Sequence, residues 1–551
     1  MPHKNSNCNL NVISRRSFLD RSLKAGALAA MGTLMDIPLV MKRALAEGNI
    51  GLNGKKVLFI WLRGANDGLN SLIPILDSSY DASRPTLAIP TDPGTNYGVT
   101  GAADFPAAGS AGSVYGTYPY AVRLGNGFAA LHPSLKFLSP VYNAGDLALI
   151  HRVAYPSQSR SHFDSQRYWE NGSPNQNLIN DGIFYRTIIE SGLANTAPLT
   201  GISIQSSLPL ILRGSDAAMT NLTDPTRYDL LGIPNNTTGN AKASASLGQL
   251  NASPFPAKNN RDLLRLQYQN MSNTLQLFAS IDFTEAGNTF RDDEVTDGDQ
   301  DWYDGNGNQG YYLFPTQNVK NGGWRRPDGS NVANKYVVPQ TQPMMDLFNQ
   351  IKAAAIILNK TDAIIAGTEY GGFDTHQNQG TLTGSHPGLN QGFGWAMYAL
   401  RKYFTRYADK ATWDNVVVVT LTEFGRTTVE NADLGTDHAE AGVTFVAGGA
   451  VRGYDPAALP QPRSGVYNCS PSDPIPWVTG ANGSMFGVNG RYLRRATDYR
   501  QILGEIIRDH LGATQNQLNR IIPGYGISGE RLLSGGTSTD GTQIRGELNI
   551  V

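Results

Sequence analysis

Two Asp–His pairs, a Glu–Arg pair and a Ser–His turn mark the places where this chain could do chemistry. Gly371-Gly372-Phe373-Asp374-Thr375-His376 puts a carboxylate and an imidazole two residues apart on an extended segment, a spacing that lets both face one metal ion. Gly435-Thr436-Asp437-His438 offers a second Asp–His pair, each member of which could equally be a hydrogen-bonded structural residue. In Glu423-Phe424-Gly425-Arg426-Thr427 a carboxylate follows directly on an apolar run, with Arg426 as its ion partner or as a clamp for an anion. Ser159-Arg160-Ser161-His162-Phe163-Asp164 opens a helical pattern, where backbone donors suit an anion and Ser161 or His162 could attack or bind it. The same serines could be plain helix caps, with His162 packed locally. Arg63-Gly64-Ala65-Asn66-Asp67-Gly68 would project Asp67 from a tight turn, although Asn-Asp-Gly also makes ordinary turns.

These residues need a scaffold that gathers them. Residues 55–62 (KKVLFIWL) form a continuous apolar run, the pattern of a strand buried on both faces of a parallel sheet. Residues 146–153 (DLALIHRV), 363–367 (AIIAG), 415–421 (NVVVVTL) and 443–447 (VTFVA) repeat it. Residues 344–358, 394–407 and 498–511 carry apolar positions at helical spacing. Helix and strand alternate, which predicts an α/β fold with a mostly parallel central sheet and helices on both faces, plus a loop-rich insertion. In such sheets a ligand lies beyond the carboxyl ends of the strands, where all five motifs fall. Seven histidines follow residue 46, and His151, His162, His376 and His438 lie at or near predicted strand ends.

The chain reads as four parts: 1–46, 47–195 and 341–551 as the two parts of the core, and 196–340 as an insertion or cap rich in Asn, Ser, Gly and Pro, with one helical stretch near 260–280. Within the insertion, residues 292–308 (DDEVTDGDQDWYDGNGN) have the composition of a calcium loop but lack its glycine and glutamate at the required positions, so a solvated acidic loop is expected. Residues 526–542 are rich in Gly, Ser and Thr and are expected to be exposed.

At 551 residues, with 40% apolar and 17% charged, the chain can bury a large core. Its 60 glycines and 30 prolines, without a period, exclude a coiled coil or solenoid. Seven of the 45 basic and two of the 46 acidic residues lie in the first 46, leaving 38 basic against 44 acidic, a poor balance for binding nucleic acid.

Ser14-Arg15-Arg16-Ser17-Phe18-Leu19, a mildly apolar stretch at 25–41 and Ala44-Leu45-Ala46 read as a twin-arginine export signal cleaved after Ala46. Asp36 and Pro38 interrupt a segment too short to be a stable transmembrane anchor. The expected partner of the precursor is the twin-arginine machinery, and the expected location is the periplasm or beyond. Cys469 then remains alone, which excludes an intrachain disulfide.

Six ordered motifs, FIWLRGANDGLNSLIP, LHPSLKFLSPVYNAGDLALIHRV, SRSHFDSQRYWENG, GGFDTHQNQ, TLTEFGRTTVEN and GTDHAEAG, resemble the twin-arginine-exported proteins of domain-of-unknown-function family 1501, which is similar to the alkaline phosphatase and sulfatase superfamily. The resemblance implies a metal-dependent hydrolase of phosphate or sulfate esters, by analogy of fold. It implies metal roles for Asp67, Asp374, His376, Glu423 and His438, places the nucleophile in the Ser159–His162 turn, and sets Phe424 where a metal-binding histidine is expected. From these follow a zinc-like ion on Asp374, His376 and His438 with a fourth position open, and a weaker second ion (Mg, Mn or Ca) on Asp67 and Glu423, joined by His162 or Asp437. Ser161 is the expected nucleophile, beside His162, and Arg426 or Arg160 the anion holder. A competing expectation is a binding protein that keeps the fold and uses the insertion to hold glycan or a partner.

Overall fold

A computed structural model describes residues 50–91, 120–193, 199–217, 219–224, 341–479, 491–526 and 529–551, with short pieces between 242 and 314 and at 485–486. The predicted export signal, the acidic stretch 293–308 and almost all of the helix expected near 260–280 lie outside the described residues.

The central element is β1 (Lys56–Leu62), every residue of which is buried. Its side chains alternate between two cores. Leu58, Ile60 and Leu62 pack into one, and Val57, Phe59 and Trp61 into the other. Both faces being apolar explains the uninterrupted hydrophobic run. Along the chain come β2 (Leu147–Ala154), α1 (His162–Asn171), α2 (Ile183–Glu190), β3 (Gly201–Ile204) and β4 (Thr220–Leu222). The second part supplies α3 (Gln342–Lys360), β5 (Ile365–Tyr370), α4 (Ser385–Arg406), β6 (Val416–Leu421) and β7 (Gly442–Ala447). It closes with β8 (Val466–Tyr467), β9 (Thr497–Asp498), α5 (Tyr499–Glu505) and α6 (Gln515–Ile521). Helices α3 and α4 cover the first core and α2, α5 and α6 the second.

The sheet has nine strands in the order β8-β2-β7-β6-β1-β5-β3-β4, with β9 also pairing β2. The pairs β6-β1, β1-β5, β5-β3, β3-β4, β2-β8 and β2-β9 are parallel, whereas β7 runs antiparallel to both β6 and β2. The mixed α/β architecture with a mostly parallel sheet is therefore as expected. The reversal of β7 is not legible in its apolar run, yet it has a direct consequence. The carboxyl ends of β1, β2, β5 and β6 and the amino end of β7 share one edge of the sheet, so the segment joining β6 to β7 stays there.

One expectation needs correction. Residues 201–222, read as the start of the insertion, supply β3 and β4, the last two strands on one side of the sheet; these strands are too short to show a strand pattern in the sequence. The C-terminal Gly/Ser/Thr stretch is largely exposed, as expected, and is also tied down. Residues Gly536–Thr537 pair with Gln543–Ile544, and buried Arg495 holds Asp540 at 3.1 Å. Cys469 is buried and free, and no helix among the described residues is long and apolar enough to cross a membrane.

Candidate functional site

Two glycines allow close backbone approaches among the loops at that sheet edge. Gly64, after β1, has φ +102, and a Cβ there would lie 2.5 Å from the backbone nitrogen of Asp374, so the β1 and β5 loops can touch only through glycine. Gly425, after β6, is pressed against the strand returning to β7: a Cβ would meet the Ala441 carbonyl oxygen at 2.0 Å. This ribbon pairs Arg426 with His438 across its two sides. His162 enters from the other direction as the first residue of α1, whose N-cap is Ser161.

Three imidazoles and one carboxylate converge. The Nε2 atom of His438 lies 3.0 Å from Nε2 of His162 and 3.0 Å from Nε2 of His376. Asp374 Oδ1 is 3.1 Å from His376 Nε2 and 3.3 Å from His438 Nε2, and Oδ2 is 3.6 Å from His162 Nε2. Each ring is supported from behind through Nδ1. His438 bonds the Arg160 carbonyl at 2.9 Å, His376 meets Asp437 at 3.1 Å, and His162 faces Glu423 at 3.7 Å. Phe424 lies between them, its ring centroid 4.8 Å from those of both His162 and His438. It takes no ligand position and instead walls the site with an apolar face.

The protonation pattern follows from these partners. A backbone carbonyl only accepts, so the proton of His438 is assigned to Nδ1. Burial, with Arg426 and His162 nearby, also holds its pKa below the ordinary imidazole value. Burial pushes the Asp437 carboxyl up, but hydrogen bonds from Asn431 and His376 outweigh it, so Asp437 is ionised and takes the Nδ1 proton of His376. The Nε2 atoms of His376 and His438 face one another across 3.0 Å, a contact that a proton on one of them or a cation shared by both can hold. Two nitrogens bound at ~2.0 Å to one tetrahedral ion sit roughly 3.3 Å apart, so the rings need little adjustment to share an ion. The donor set thus fits a zinc-like cation, and the backing partners are of the kind that orient metal-binding imidazoles. Asp374 stays ionised because the bond and charge of Arg426, with His376 and His162, outweigh the effect of its partial burial.

The expected residues divide accordingly. Asp374, His376 and His438 come together as anticipated. His162, expected beside a nucleophile, lies against them, its Nε2 at 3.0 Å from that of His438 and 3.6 Å from Asp374 Oδ2. Glu423 does not: its carboxylate accepts from the backbone of Gly64 at 3.2 Å and Ala65 at 2.9 Å and stands behind His162. Burial raises its pKa less than His162 and those N–H groups lower it, and Glu423 in turn pushes the pKa of His162 up. Asp67 points away, into a fully buried pair with Arg84 at 2.6 Å, with Gln379 also donating to it at 2.6 Å. Ser161 Oγ accepts from the Asp164 backbone at 3.4 Å, the cap geometry rather than contact with a base. Arg426 spends its donors on Gly64, Ala65, Phe373, Thr436 and Asp374 and lies buried, so it holds loops rather than a substrate anion.

Residues 330–455 match the family model described as a protein of unknown function (DUF1501). That match supports the family read from the ordered motifs, and it spans Asp374, His376, Glu423, Arg426 and His438. No curated protein matches the chain.

Some of the supporting residues carried no sequence signal. Arg84 and Gln379 sit in ordinary loop and helix-flanking sequence, and only the fold shows that Gln379 also accepts from Thr375 at 3.0 Å and Thr436 at 2.8 Å, tying together the loops that bear His376 and His438. Arg160 was visible beside Ser161. Its guanidinium is exposed and stacks 4.6 Å over Tyr492, leaving it at the rim, where Arg491 also reaches Asp437 at 3.0 Å.

Proposed function

We propose that this protein is an exported hydrolase of phosphate or sulfate esters that works with one divalent, zinc-like ion held by His162, His376, His438 and Asp374. The carrying observation is that the Nε2 atoms of His162 and His376 both lie 3.0 Å from that of His438, with Nδ1 of His438 and His376 bonded from behind and Nδ1 of His162 facing Glu423. An ion held there supplies Lewis-acid polarisation of an ester oxygen and acidifies a water molecule. Asp374, nearly half exposed, is the ligand best placed to yield room to a substrate. Arg160 and Arg491 at the rim attract and orient the anionic ester. Glu423 keeps His162 in place and fixes its proton, and Phe424 excludes water from one side. Export by the twin-arginine route, proposed from the N-terminal motif, places the reaction in the periplasm or outside the cell.

The test loads the chain from residue 47 onward with zinc, cobalt or manganese and follows nitrophenol release from aryl phosphate, phosphodiester and sulfate substrates. Turnover on one class, lost in His376→Ala, is expected. Confirmed metal binding with no turnover on any of them would overturn the hydrolase reading in favour of a binding protein on the same fold.

A further inference from the structure

The surroundings of Arg426 have the chemistry of a cation cage. Three oxygens approach its Nη2: the carbonyls of Gly64 at 2.5 Å and Phe373 at 3.1 Å, and Asp374 Oδ1 closer still. A guanidinium nitrogen of this kind carries only two N–H bonds. Nε takes the Ala65 carbonyl at 2.9 Å, and Nη1 takes that of Thr436 at 3.0 Å and faces His376 Nε2 at 3.4 Å. Backbone carbonyls and a carboxylate drawn from three loops are hard oxygen donors, the set that calcium or manganese prefers. The side chain that occupies them is fully buried, 0% exposed, against an Asp374 that is 47% exposed.

We infer that the guanidinium of Arg426 is the built-in second cation of this centre: it fills an oxygen-lined position that would otherwise suit a hard divalent ion, and it shares Asp374 with the histidine cluster. This rests on the proposed metal reading and deepens it by fixing the number of ions at one. Among the described residues, the two carboxylates expected to hold a second ion are taken, Asp67 by Arg84 and Glu423 by the Gly64 and Ala65 N–H groups. A guanidinium also differs from an ion in use. It cannot be stripped by a chelator, and it keeps its charge across the physiological pH range.

Arg426→Ala should leave the cage empty and lower the thermal midpoint, and millimolar guanidinium, Mn²⁺ or Ca²⁺ should restore it by several degrees. Manganese titration followed by electron paramagnetic resonance should show one more bound ion per chain than in the wild type. Arg426→Lys, which keeps one positive charge, should remain at the wild-type count. Loss of midpoint in Arg426→Ala that none of these cations restores would overturn the inference. If that variant does not fold, the wild type still decides: uptake of two equally tight divalent ions would overturn the inference, and saturation at one would support it. A wild type that holds no ion at the histidines would defeat the proposed function instead, while cation rescue of Arg426→Ala would still report on the cage.

Discussion

The Asp67 carboxylate lies across the Arg84 guanidinium, with contacts of 2.6 and 3.1 Å and neither residue exposed. Removing one partner of such a pair strands the other as a buried charge, at a cost of about 3–5 kcal/mol. Asp67→Ala should therefore lower the urea midpoint sharply, while the chains that remain folded keep their zinc. Unchanged stability with zinc lost would return Asp67 to the ligand set.

Ser161 and His162 are neighbours with separate tasks, and two substitutions distinguish them. Ser161→Ala should cost about 1 kcal/mol through loss of the helix cap, with metal content and any turnover retained. His162→Ala should weaken zinc binding strongly in chelator competition. A Ser161→Ala protein that binds metal but hydrolyses nothing would restore the serine as nucleophile.

Glu423→Gln keeps an oxygen for one backbone N–H but loses the charge facing His162. Outer partners of metal-binding imidazoles are typically worth 10–100-fold in affinity or activity. Turnover should fall by about that factor, with zinc stoichiometry at saturation unchanged. A complete loss of bound zinc would make Glu423 a direct ligand.

Glu505 predicts a pH dependence away from the site. Burial pushes its carboxyl up to about 7, with Glu547 and Asp509 adding to the shift against two backbone N–H donors, from Leu548 and Ile550. The folded chain therefore holds this proton more tightly than the unfolded one. Its contribution is fully present below about pH 4.5 and is lost as pH rises through about 7, by roughly 3 kcal/mol at most. Thermal midpoints from pH 5 to 8 should fall more steeply for the wild type than for Glu505→Gln. Parallel curves would refute this assignment.

The long buried strands were legible because apolar runs such as Val416–Leu421 can be satisfied only inside a sheet covered on both faces. Their direction was not, since β7 is as apolar whichever way it runs. Asp374, His376, Asp437 and His438 were legible as two Asp–His pairs near strand ends, and it was the family resemblance that drew Asp374, His376 and His438 into one set. Asp67 misled because its alternative partner, Arg84, is 17 residues away and becomes visible only in three dimensions. Phe424 was read as an absence, whereas its ring is part of the site's wall. His162 shows the same limit in reverse: a residue at a helix start becomes a candidate ligand only when the fold brings His438 to it across 276 positions of chain.

That separation makes the centre a certificate of completed folding. No single segment carries all four donors. They meet only after β2, β5 and β6 have docked on the sheet and the ribbon to β7 has doubled back. A truncated or mispaired chain would leave the cluster unassembled, so its integrity reports on the pairing of the nine-stranded sheet beneath it.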